Sequence, residues 1–174
     1  MARDEVDRIV EAWRRERPNL DTAPMEVLSR VSRLARHLDR RRRDAFAQVR
    51  VGGAGLEPWE FDVLAALRRA GPPYELSPSE LMAQTLVTSG TMTTRVEKLA
   101  ARGLVRRRRR ETGDRRGVLV ALTEPGRDAA DAALEALLGH EHDLLAGLAD
   151  RDRDQLAGLL RTLVRPFDDG PEPA

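Results

Sequence analysis

The chain contains no cysteine in its 174 residues, which excludes disulfides, cysteine-based peroxide sensing and thiolate metal sites. Aromatic residues make up only 3%, so aliphatic helix packing has to build the core, and a hydrophobic content of 41% is enough to do so. No run of about 18 apolar residues occurs, so no membrane-spanning helix is expected. The opening segment, MARDEVDRIVEAW, is too charged for a secretory signal. The compartment expected from these absences is the cytoplasm. There is no Gly-rich phosphate loop, no GxSxG and no HExxH, so no enzyme is expected. Histidine occurs three times. His140 and His142 are two apart, pointing about 200° from each other on a helix, so they do not chelate one ion unaided. No metal and no cofactor is expected. His37 has two readings, a satisfied polar residue beside the core or a pH sensor. Lysine occurs once, as Lys98, an arginine bias that reads as genomic base composition.

What is present is organised around residues 76–123. Ser77, Pro78 and Glu80 form a helix start, with Glu80 three residues after Ser77 as in a capping box. That helix is expected to turn Leu81, Met82 and Leu86 inward. After a turn near residues 85–88, a second helix begins at Thr88 or Ser89. In it Met92, Val96 and Leu99 share a face at i, i+4 and i+7. The opposite face presents Gly90, Thr91, Thr94 and Lys98, small and hydroxyl-bearing residues that suit close approach to base edges and phosphates. Gly103 ends the helix as a C′ glycine. Residues 104–109 and 118–122 then read as two strands joined by a polar tip. From Arg102 to Arg116 there are eight arginines against two acids, while the whole chain is only +1. Positive charge concentrated beside a helix-turn-helix is the electrostatic footprint of a DNA reader.

The words FDVLAALRRAG, LVTSGTMTTRVEKLAARGLVRR and GDRRGVLVALTEPGR resemble the MarR family of winged-helix transcription regulators. The last of them holds that family's wing pattern, Asp114 and Arg116 followed by a hydrophobic strand ending in Leu122 and Thr123. The resemblance implies a homodimer that binds double-stranded DNA at a pseudopalindromic operator. The helix after the turn would enter the major groove and Arg116, held by Asp114, the minor groove. The DNA-facing residues expected are Ser89, Thr91, Thr94, Lys98, Asp114, Arg115 and Arg116.

The flanks read as helices. Residues 4–16 place Val6, Ile9, Val10 and Trp13 on one face, and Pro18 stops them. A helix from Pro24 to about Val49 carries Leu28, Val31, Ala35, Leu38, Ala45 and Val49 as a narrow stripe that needs a partner. Another runs from Glu57 or Pro58 to Ala70. After Thr123, a helix through Leu148, with Gly139 a possible kink, precedes a last one from Asp150 that Pro166 should end. The fold class expected is mainly α with a small β-hairpin wing: a winged helix-turn-helix over residues 56–123, with dimerisation helices in 1–50 and 124–174.

One branch of the family has an extra N-terminal helix with a tryptophan and responds to urate or related small anions. The resemblance to that branch implies a ligand set of Trp13, Asp62, Arg95 and Arg107, or Arg106 in place of Arg107. The ordinary alternative is that Asp62 pairs with Arg95 as a structural salt bridge and Trp13 only packs. Two functions follow. One is a repressor released from DNA by a small anionic ligand, urate-like or a carboxylate. The other is a constitutive architectural or partner-docking winged helix without an effector.

Overall fold

Helix α3, Pro58–Arg69, is the most enclosed segment of the computed structural model, which describes residues 3–109 and 118–168. It starts at Glu57, with Pro58 in the first turn and Glu60 closing a capping box, and it buries Phe61, Val63, Leu64, Ala66 and Leu67. Around it lie α1 (Glu5–Glu16), α2 (Ala23–Gln48), α4 (Pro78–Thr85), α5 (Ser89–Ala101), α6 (Glu124–Leu145) and α7 (Asp150–Asp168). The core joins Phe46 of α2 to Phe61 and Leu64, Leu81 of α4, Met92 and Leu99 of α5, and Ala130 and Ala133 of α6. Phe46 and Phe61 form its only aromatic stack among the described residues, with centroids 4.5 Å apart.

Strands β1 (Glu75–Leu76), β2 (Val105–Arg109) and β3 (Val118–Leu122) form an antiparallel sheet in the order β1-β3-β2. Val105 pairs with Leu122 and Arg109 with Val118, so the arginine strand lies along the hydrophobic one in full register. Strand β1 was not expected; two residues after Pro72 and Pro73 carry no periodicity, and only pairing with Val120 and Ala121 defines them.

Two glycines fix how α5, the sheet and α6 meet. Gly103, at φ +71°, ends α5 in a Schellman motif: its N–H donates to Ala100 O at 2.9 Å and that of Leu104 to Leu99 O at 3.0 Å. Gly126, in the first turn of α6, lies so close to the start of β2 that a Cβ there would be 1.9 Å from Leu104 O. Thr123 ties the corner by donating to Gly103 O at 2.7 Å and accepting from Gly126 N at 3.1 Å.

Two expectations are corrected. Leu86 does not turn inward: it ends α4 in the left-handed region, φ +52°, and is 92% exposed. The reason is that the chain reverses at that residue, carrying its side chain off the helix face that Leu81 buries. Pro166 does not end α7, which continues to Asp168. Helix α6 passes Gly139 and closes at Leu145, short of Leu148.

Candidate nucleic-acid interface

Helix α5 is anchored by one face and free on the other. Met92, Val96 and Leu99 are buried, while Gly90, Thr91, Thr94 and Lys98 are exposed. Thr88 is the N-cap residue, but its hydroxyl does not cap the helix; it pairs with the Thr91 hydroxyl at 3.0 Å. Thr93 and Thr94 donate back to Ser89 O and Gly90 O at 3.1 and 3.2 Å. The Thr94 hydroxyl therefore keeps its lone pairs, and not its proton, for a partner outside the helix.

Trp59, Gly90, Thr91, Thr94, Arg95 and Lys98 line a shallow concavity of about 370 Å3. Arg95 lies with its guanidinium carbon 5.6 Å from the Trp59 ring centroid, a cation–π contact. Trp59, half-buried in the first turn of α3, was not among the expected site residues. Its sequence signal was thin: one of two tryptophans in a chain poor in aromatics.

Along β2 the arginines divide. Arg107 pairs with Glu97 of α5 at 3.4 Å and Arg108 with the buried Glu75 of β1 at 3.3 Å, which couples the wing strand to its neighbours. Arg106 and Arg109 are exposed and make no ion pair among the described residues. Asp114, Arg115 and Arg116 lie outside the described residues.

The four residues expected to hold a ligand are not gathered in one cavity. Asp62 pairs with Arg42 of α2, not with Arg95; α2 lies over α3 on that side, whereas Arg95 turns to Trp59. Arg107 is engaged by Glu97, and Trp13 is 48% exposed on α1. Arg42 also lies over the rings of Phe46 and Phe61, and its Nε is buried with no hydrogen-bond partner among the described residues. It lines two cavities. One, about 270 Å3, contains Asp62, Arg69 and Gln84; the other, about 730 Å3 between α2 and α6, contains His37, Arg41 and His140. His37 itself meets Arg40, 3.0 Å from its Nδ1.

Helix α1 docks on α2 through buried Val6 and Val10 and through Arg30, which donates to Asp4 and to Asp7, the latter at 2.6 Å. The Arg30 guanidinium holds the Asp4 carboxyl below its ordinary range. The Asp7 carboxyl is lowered too, first by accepting from the Asp4 backbone N–H and then by Arg30.

A three-stranded sheet whose arginine strand follows an exposed helix face of small, hydroxyl and basic residues defines a winged-helix DNA-binding protein. The MarR family model matches residues 54–117. The chain is 36% identical over 156 residues to the HTH-type transcriptional regulator PecS of Dickeya dadantii, covering 90% of each. It is 33% identical to the HTH-type transcriptional repressor NicR of Pseudomonas putida, covering 83% of this chain and 89% of that one. Among solved structures, Bordetella bronchiseptica BpsR, described for regulation of its DNA binding by 6-hydroxynicotinic acid, matches with a TM-score of 0.58 at 28% identity. That match covers 77% of this chain and 98% of BpsR. The chain belongs to the MarR family of DNA-binding transcriptional regulators.

Proposed function

We propose that the chain is a homodimeric, sequence-specific repressor that a small anionic ligand releases from DNA. The DNA half of this reading rests on one observation: the exposed face of α5 holds Gly90, Thr91, Thr94 and Lys98, beside a strand whose Arg106 and Arg109 make no ion pair among the described residues. Placed in a major groove, α5 brings Ser89, Thr91, Thr94 and Lys98 to base edges and phosphates. Asp114, Arg115 and Arg116 join on sequence grounds, with Arg116 in the minor groove. Fluorescence anisotropy tests this. Arg116→Ala should weaken binding to specific and scrambled duplexes alike and reduce the salt slope by about one. Thr94→Ala should erode discrimination by about 1–3 kcal/mol. Unchanged binding in both variants would overturn these roles.

The dimer is supported by apolar surface that one protomer leaves bare. No residue of α7 from 150 to 167 is buried, and Leu159, Leu163 and Val164 are each about half exposed. On α2, Leu28 is 58% exposed and Val31 40%. Bare apolar surface of this kind on two helices marks an association surface. In this reading residues 1–50 and 124–174 pair two copies, and the winged helices of 56–123 read half-sites about one helical turn apart. Light scattering should give a dimer mass at micromolar concentration; a monomer would sink the proposal.

The effector half rests on Arg42, whose buried Nε–H has no acceptor among the described residues and whose Nη2 holds Asp62. NicR is named a repressor, and BpsR's DNA binding is regulated by 6-hydroxynicotinic acid, a planar aromatic acid. A urate-like or carboxylate anion beside Arg42 would compete with Asp62 for that guanidinium. Asp62 lies on α3, against which α4 packs, so loosening the pair shifts the helix-turn-helix relative to α2. A coupling of about 1–3 kcal/mol, roughly 5–150-fold in DNA affinity, is enough for regulation. Trp13, Arg95 and Arg107, the other residues that the resemblance implies, are engaged elsewhere or exposed and are not needed for this site. Thermal shift against a panel of small anions should raise the melting temperature for at least one; no shift with any leaves a constitutive winged helix.

A further inference from the structure

We propose that Arg95, held against the indole of Trp59, reads a guanine in each half-site and that this pair sets the operator preference of the chain. The inference rests on the proposed placement of α5 in a major groove and adds the residue that discriminates between bases there.

The argument begins with what the exposed face of α5 can donate. A guanine presents two acceptors in the major groove, N7 and O6, and is recognised by a paired donor. Thr94 has given its hydroxyl proton to Gly90 O, and the Thr91 hydroxyl is tied to that of Thr88. Thr94 is left to accept from an adenine or cytosine amino group or to touch a thymine methyl, and Thr91 carries at most one proton, where guanine takes a paired donor. Gly90 offers no side chain. In the concavity they line, the other side-chain donors are Lys98, Arg95 and the single indole N–H of Trp59. Lys98 lies in the last turn of the helix and is a flexible point charge, suited to phosphate. Arg95 alone has two parallel N–H groups in one plane.

Position and rigidity follow from Trp59. An arginine side chain in water samples many rotamers, and ordering it against a base costs conformational entropy. Here the guanidinium already lies over the indole at 5.6 Å from the ring centroid, half-buried, with no carboxylate holding it among the described residues. Stacking uses the flat face of the guanidinium and leaves its N–H edge free. Trp59 is itself fixed, because it stands in the first turn of α3 and packs on the core. The platform therefore comes from a different helix than the reader, so the reading geometry depends on how α3 and α5 are packed.

In vitro selection from a random duplex library tests this with the full-length chain and three variants, each checked for a cooperative melt. The parent should enrich a dyad-symmetric sequence with a guanine in each half that is preferred about 5–150-fold over other bases. Arg95→Lys, which keeps the charge and removes the fork, should lose preference at that position alone while keeping the salt slope. Trp59→Leu should relax the same position, and Trp59→Phe, which keeps a ring, should restore much of it. If Arg95→Lys and Trp59→Leu select the parental sequence with undiminished base preference, or if the position they relax is not guanine, the inference is overturned and the DNA-reading proposal stands. If the parent enriches no sequence, both fall together.

Discussion

Arg102, the residue that closes α5, forms an ion pair with Glu60 in the first turn of α3, where the Glu60 side chain is only 3% exposed. A nitrogen of the same guanidinium donates to the carbonyls of Val51, Ala54 and Gly55 at 3.1–3.2 Å. One side chain thus joins the α2–α3 loop, α3 and the end of α5. Arg102→Ala leaves a buried carboxylate without its counter-charge and should cost about 3–5 kcal/mol in urea unfolding. Arg107→Ala, which breaks an exposed pair, should change stability by no more than about 1 kcal/mol. Equal effects of the two would show that Glu60 is not buried in solution.

The two helical glycines of α6 should behave oppositely. Gly126→Ala forces a Cβ against the Leu104 carbonyl, and a backbone atom cannot yield as a side-chain tip would. A loss of about 1–3 kcal/mol is expected. Gly139→Ala meets nothing within 4 Å and should stabilise the helix by about 1 kcal/mol. Thermal melts of the two variants check both signs.

Acid should loosen α1 before the core. Asp4 and Asp7 have folded-state pKa values below the ordinary 3.8, so their pairing with Arg30 stabilises the fold above that value and is lost as pH falls through the lowered values. The melting temperature of the parent should exceed that of Arg30→Gln near neutrality, and the gap should close on acidification. A gap unchanged down to the acid limit would mean that Arg30 acts through packing and not through charge.

Titration calorimetry with urate and with citrate-like carboxylates should locate the effector. Arg42→Ala should abolish the heat of whichever anion binds, because it removes the unpaired donor. Arg95→Ala should leave that heat intact if Arg95 serves DNA. Trp13→Phe should be mild for a carboxylate and larger for a stacked planar ligand. Heat lost in Arg95→Ala and retained in Arg42→Ala would return the site to the recognition helix.

Much of this architecture was legible in the chain because it depends on neighbours three and four residues apart. The capping box of Ser77 and Glu80, the Met92–Val96–Leu99 face and the terminal Gly103 are local signals, and each lies where it was expected. What escaped was decided by distant partners. Strand β1 exists only through Val120 and Ala121. The partner of Asp62 is 20 residues away, on a helix whose arginine run gave no hint which member would turn inward. The contact between Trp59 and Arg95 joins two helices at an angle that no periodicity encodes. Pro166 is a local signal that failed, since its place in α7 is governed by the helix around it and not by the proline alone.

The solitary lysine acquires a different meaning once it lies on the exposed face of α5. Apart from the amino terminus, Lys98 carries the chain's only primary amine. An amine-selective acylating reagent therefore has one side-chain target, and it stands where the duplex is proposed to lie. Its reactivity becomes a built-in gauge of occupancy: bound duplex should shield it, and an effector that frees the duplex should unmask it. The arginine habit of this chain, whatever its origin, has left the protein with a single chemical handle at its reading head.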